Sequence, residues 1–209
     1  MDIHPPHPIH SWKDFGVQLI TITAGILIAL SLEGARESIH DRALVHEARE
    51  NIHREIADNK KEVDNEIGAM AERGKKIDVA LQFANELLKT KHTEIHHLAL
   101  ELTFPTLSAA SWQTAERTGA FAHMDYAEVQ KYATLYSFQE FLAEQHRHAL
   151  DVLVAAIGIV TGSDEVDMAK MAPAEVQRFR ELVISLRSTL FLEEQLTRAA
   201  SERYKKALE

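Results

Sequence analysis

Between Asp14 and Glu33 the chain carries eighteen residues without a charge, Phe15 to Leu32, reading FGVQLITITAGILIALSL. As a helix rising about 1.5 Å per residue the run spans roughly 27 Å, close to the thickness of the hydrocarbon core of a bilayer. Water leaves such a segment two choices, burial in a protein core or burial in lipid. Its flanks favour lipid. Trp12 stands where an interfacial aromatic belongs, and Lys13 beside it can snorkel to the headgroups. A cleavable signal peptide fits less well, because the preceding leader is not basic and no Ala-x-Ala site follows the run. The expected order is a His/Pro-rich leader over 1–14 and a transmembrane helix over 15–32.

The run is not uniformly apolar. Thr21, Gly25 and Ala29 recur every four residues and share one helix face, with Gln18 beside it. Small residues at that spacing let a second helix approach closely, and Gln18 or Thr21 can hydrogen-bond across the contact. This face is the candidate site of membrane helix packing. The same spacing continues into Glu33, Glu37 and His40, so the stripe turns polar where it leaves the membrane. Those three residues are the candidate polar contacts at the membrane boundary.

No proline occurs from Ile9 to Phe104, so a helix can run unbroken from the anchor far into water. A stalk helix over 33–91 is expected. Within it Ile56, Val63, Met70, Ile77 and Ala84 repeat every seven residues. Ile67, Leu81 and Leu88 lie on a companion row four residues on, where Lys60 and Gly74 also fall, and the spacing is coiled-coil-like. Pro105 marks a break. A short helix begins near Trp112, capped by Ser108 or Ser111, and ends about Gly119. Asp125 is placed to cap a long helix to roughly Val160, stopped by Gly162, and Pro173 opens a last helix ending near Leu208. No segment alternates with period two for long enough to suggest a strand. The roughly 175 residues after the anchor suffice for one core. The expected fold is all-α: an N-terminal transmembrane helix continuing into the stalk, with an antiparallel helical bundle over 92–209 packed on it.

The stretch HSWKDFGVQLITITAGILIALSLEGARESIHDRALVHEARENIHREI is more specific than its hydropathy. With Ser111-Trp112, Thr118-Gly119-Ala120 and Leu135-Tyr136, it resembles a group of bacterial single-pass membrane proteins of uncharacterised activity. These share a His-x-Trp lead, a Gly-Ile-Leu-Ile-Ala-Leu anchor, Leu-Glu at its end, and a His/Glu/Arg-rich helix. The matching positions are His10, Trp12, Phe15, Gly25 to Leu30, Glu33, Glu37, His40, His46, Glu47 and Arg49; Gly34 departs, standing where a longer polar residue is usual. The resemblance implies a bacterial inner-membrane protein with a helical domain and supplies no activity. Charge alone, with Lys13 on one side and Arg36, Arg42 and Arg49 on the other, leans slightly toward a cytoplasmic domain. The resemblance implies a more basic leader held inside, and a periplasmic domain is the expectation taken from it.

A net charge of -9 argues against a nucleic-acid partner, since neutralising phosphates needs clustered Lys and Arg. With no cysteine, thiolate metal sites and cysteine nucleophiles are excluded. Ser111 and Thr114 lie in no Gly-x-Ser-x-Gly turn, and there is no Gly-rich phosphate loop. The twelve histidines raise a metal reading. His92 and His96 form an i, i+4 pair with His97 adjoining but no third ligand at a recognisable spacing, and His4, His7 and His10 sit among prolines. Glu33, Glu37, His40, His46 and Glu47 are the better acid-base set, though ion pairs between helices explain them more simply. Trp112, Phe121, Tyr126, Tyr132 and Tyr136 read as core aromatics. No cofactor and no catalytic residue is expected. The expected role is a membrane-anchored helical interaction protein, self-associating or an accessory subunit, with the lipid bilayer and other membrane subunits as partners. A homo-oligomeric pore lined by Gln18, Thr21 and Thr23 is the alternative, and a metal-dependent or acid-base enzyme a third.

Overall fold

The computed structural model describes residues 12–95, 98–161 and 171–209. All the regular structure in them is helical, as expected: α1 (Trp12–Thr90), α2 (Ala110–Arg117), a 3-10 turn (Ala120–His123), α3 (Tyr126–Thr161) and α4 (Pro173–Leu208). His4, His7, His10, His96, His97 and Gly162 lie outside the described residues. The chain divides into two compact units, Met1–Glu47 and Ala48–Glu209, with the division inside the α1 range rather than at the anchor's end.

The first unit holds the uncharged run from Phe15 to Leu32. Phe15, Val17, Leu19, Ile20, Ile22, Ile26, Leu27, Ile28, Leu30 and Leu32 are all exposed, and none of the apolar window is buried. α1 is the one described helix long and apolar enough to cross a membrane.

In the second unit three long helices share a core. Partners along them set the directions. Arg49, Glu55 and Asn59 of α1 bond Glu128, Tyr136 and Gln139 of α3, so α1 and α3 run parallel. Asn85, Arg73 and Asp64 of α1 meet Arg180, Glu193 and Ser201 of α4, which therefore runs antiparallel to both. The expected antiparallel bundle over 92–209 is thus formed by α3 and α4, while the stalk runs parallel to α3. The reason is the connection after α1. Lys91, left-handed at φ 58°, ends the helix, and residues 98–109 return along the bundle without regular structure. Leu98, Leu100, Leu102 and Phe104 are half-buried against the core while Ala99, Glu101 and Thr103 face out. That short period-two stretch, passed over as too brief for a strand, is an extended strap that lets α3 start beside the same end of the bundle as α1.

The inward rows follow a spacing of three and four. On α1 this spacing runs through the buried residues Ile52, Ile56, Asn59, Val63, Glu66, Met70, Arg73, Ile77, Ala80, Ala84 and Leu87, with Ala48, Glu55 and Phe83 also buried. The row from Ile56 to Ala84 is buried as the heptads require. Its companion lies three residues on, not four: Leu88 and Gly74 are exposed, and Lys60, Ile67 and Leu81 only half-buried. The companion was misassigned because three of its members, Asn59, Glu66 and Arg73, are polar. The bundle end is wholly apolar, with Phe83 and Phe179 edge to face at 6.1 Å among Leu87, Leu153, Val183 and Leu186. Val152, Leu153 and Ala156 of α3 join this core.

Local signals at the helix ends mostly hold. Asp125 Oδ1 accepts the Ala127 and Glu128 N–H groups at 2.9 and 3.3 Å, and Gly119 takes the left-handed conformation after α2. Tyr126 departs from the expected core set, being 80% exposed.

Candidate functional site

Gln18, Thr21, Gly25 and Ala29 all lie on the exposed surface of the anchor. The Thr21 hydroxyl donates to Val17 O at 2.9 Å within its own helix, and a Cβ placed on Gly25 meets nothing within 4 Å. Glu33, Glu37 and His40 are exposed as well, and Glu33 pairs with Arg36 at 3.6 Å one turn on. These residues share a face as the spacing dictates. Among the described residues no group of three or more His, Asp or Glu side chains is disposed to hold a metal. His92 bonds Glu94 at 2.7 Å.

Polar side chains are instead gathered inside the second unit, in two adjoining networks. The first centres on Glu55, which is 7% exposed. Its Oε1 accepts the Tyr136 hydroxyl at 2.6 Å, and its Oε2 accepts the Ser108 hydroxyl at 2.6 Å and the Ser111 N–H at 2.9 Å. Ser111 does not cap α2; the Ser108 Oγ accepts the Ala110 N–H at 3.2 Å, and the Glu55 carboxylate, reaching from α1, takes the Ser111 N–H beside it. Asn59 Nδ2 donates to Ser108 O and Gln139 Oε1 at 2.7 and 3.1 Å, Ser108 N–H returns a bond to Asn59 Oδ1, and Tyr204 donates to Gln139 Oε1 at 2.6 Å. Trp112 stacks over Tyr136 at 5.2 Å and touches Phe121 at 4.4 Å, roofing the network. Burial alone would raise the Glu55 pKa. The bonds from Ser108, Ser111, Tyr136 and the Trp112 backbone outweigh it and hold the carboxyl below the usual glutamate range. Burial, with Glu55 opposite, pushes the Tyr136 phenol up. Such a network is saturated: it clamps α1, α2, α3 and α4 and leaves Glu55 no lone pair aimed at a ligand.

The second network begins about two turns beyond Asn59 on α1, at Glu66, and reaches Arg73 about two turns further on. Arg73 Nη2 donates to Thr103 O at 2.8 Å and is in ion-pair contact with Glu66, while Nη1 faces Glu193 Oε2 at 3.4 Å. Glu193 also accepts the Thr197 hydroxyl at 2.8 Å and stands 3.3 Å from His146 Nε2. Phe104 stacks on the His146 ring at 4.4 Å with Arg73 5.0 Å from its centre. Burial pushes the Glu66 carboxyl up, the Arg73 charge and bond opposing it and the Glu193 charge reinforcing it. A cavity of about 170 Å³ adjoins the cluster, lined by Arg73, Glu193, Met70, Ile77, Arg187 and Phe191.

Neither network was anticipated. The signal was present: Asn59, Glu66 and Arg73 are seven apart on one row of α1, and Gln139 and His146 seven apart on α3. Seeking only apolar residues in the repeat passes over them. No known protein family, curated protein or solved structure matches the chain.

Proposed function

We propose that this is a single-pass, membrane-anchored interaction protein of the bacterial inner membrane, self-associating or serving as an accessory subunit of a larger membrane assembly, with its helical domain in the periplasm. What carries the reading is the contrast between the two units. The second has a filled core, whereas the first exposes ten large apolar side chains from Phe15 to Leu32. At about 2 kcal/mol for each such side chain left in water, the anchor is untenable outside lipid or protein. The stripe of Gln18, Thr21, Gly25 and Ala29 is the face proposed to meet another transmembrane helix, and Glu33, Glu37 and His40 the polar contacts beside it.

Crosslinking and detergent sizing of the full chain test the association. Gly25→Leu is expected to disrupt the oligomer or release a co-purifying partner, because close backbone approach needs the missing side chain. Ile26→Leu, on another face, is expected to change nothing. An unchanged assembly in Gly25→Leu removes the stripe from the argument. A reporter enzyme active only in the periplasm, fused after Glu209, is expected to be active; a silent fusion, with a cytoplasmic reporter active at the same point, reverses the side.

A further inference from the structure

Glu55, the one carboxylate of its network, has neutral donors on both oxygens, whereas the neighbouring network sets two carboxylates against a single guanidinium. Two carboxylates, Glu66 and Glu193, face one guanidinium, Arg73, and one imidazole, His146, and each residue is less than a tenth exposed. With the imidazole neutral the buried set carries one net negative charge, which is costly to hold away from water. The groups come from every element around the site: Glu66 and Arg73 from α1, His146 from α3, Glu193 and Thr197 from α4, and the Thr103 carbonyl and Phe104 ring from the strap. At the cavity mouth Asp78 and Arg187 pair with each other at 3.3 Å, and Glu194 bonds Arg198 at 2.8 Å, so neither carboxylate supplies or neutralises charge inside. Glu66 Oε1 has Arg73 alone against it, through the ion-pair contact, and His146 Nε2, 3.3 Å from Glu193 Oε1, completes no hydrogen bond. In a core otherwise so fully bonded, that is where an extra hydrogen belongs.

We propose that Glu66, Arg73, His146 and Glu193 form a buried proton-binding site whose occupancy tightens the junction of α1, α3 and α4. One proton, on the Glu66 carboxyl, brings the set to neutrality. Its loss leaves two carboxylates sharing one guanidinium, with repulsion that pries α4 from α1 where the cavity of about 170 Å³ already gives water a way in. The raised Glu66 carboxyl agrees in direction. The sign follows from linkage: the closed junction binds the proton more tightly than the opened one. Protection is therefore greatest at low pH and falls as pH rises above the ordinary glutamate range, levelling off once the closed site has itself ionised.

The test is hydrogen exchange with mass readout on the full chain in mild detergent, from pH 5 to 9, corrected for the intrinsic chemical rate. In the wild type, amides flanking Glu66, Arg73, His146 and Glu193 are expected to lose protection with rising pH, by up to about tenfold per unit across the window, while those around Glu55 stay level. Glu66→Gln leaves Arg73 opposite Glu193 alone, a neutral set that needs no proton, and is expected to abolish the slope. A wild-type profile that is flat at the cluster, or equally steep around Glu55, overturns the proposal, and so does an unchanged slope in a folded Glu66→Gln. Should that variant fail to fold, the wild-type comparison of the two networks still decides.

Discussion

Two glutamates eleven positions apart on α1, Glu55 and Glu66, show how partners rather than burial decide what a buried carboxyl does. Each is 7% exposed. Glu55 has donors on both oxygens and is held ionised; Glu66 has one cation, a second carboxylate nearby and an incomplete bond, and is pushed toward its neutral form. Their linkages are opposite in sign. A depressed carboxyl contributes stability above its unfolded pKa that is lost as pH falls through its folded value. Acid is therefore expected to weaken the Glu55 clamp, and Glu55→Gln to flatten the acid limb of a thermal-melt profile. Glu55→Ala strands the Tyr136 hydroxyl, the Ser108 hydroxyl and the start of α2. It is expected to cost about 3 kcal/mol in denaturant titration at neutral pH. A loss below about 1 kcal/mol means that water replaces the carboxylate and that the clamp is dispensable.

Along each long helix, the rule is which of two adjacent rows faces in. On α1 the choice between them is sharpest at its end, where Leu87 is 7% exposed and its neighbour Leu88 36%. Leu87→Ala is expected to cost about 3 kcal/mol, since it opens a cavity beside Phe83 and Phe179, whereas Leu88→Ala should stay within about 0.5 kcal/mol. Equal losses would restore the companion row four residues on. Why do polar residues occupy the inward row at all? Apolar helices slide past one another by a heptad at little cost, but Asn59 against Gln139 and Arg73 against Glu193 have partners in one register only. The middle of the bundle thus sets alignment, and its apolar end, around Phe83 and Phe179, adds burial without register.

For the chain as a whole, the anchor dominates where it resides. Transfer of residues 15–32 into hydrocarbon outweighs any surface electrostatics. The full chain is expected to remain with membranes through high-salt and carbonate washes. Its recovery in the soluble fraction would mean that the exposed side chains of the first unit, from Phe15 to Leu32, are covered by protein instead.

What could be read without coordinates was whatever depends on near neighbours in the chain: the anchor, from an unbroken apolar run; the helices, from period and caps at Asp125, Gly119 and Pro173; and the small-residue stripe, from four-residue spacing. These signals are local because backbone hydrogen bonding and helical phase repeat over a few residues. The polar interior was not legible in that way. Glu55 finds Ser108 and Tyr136 across separations of 53 and 81 positions, and Arg73 finds Glu193 across 120. A lone Glu, Arg or His on a helix resembles any solvated surface residue until three helices close over it. Only packing shows that its partners have replaced water, and the direction of α3 depended on the strap from Leu98 to Phe104, whose course is set by the groove it fills.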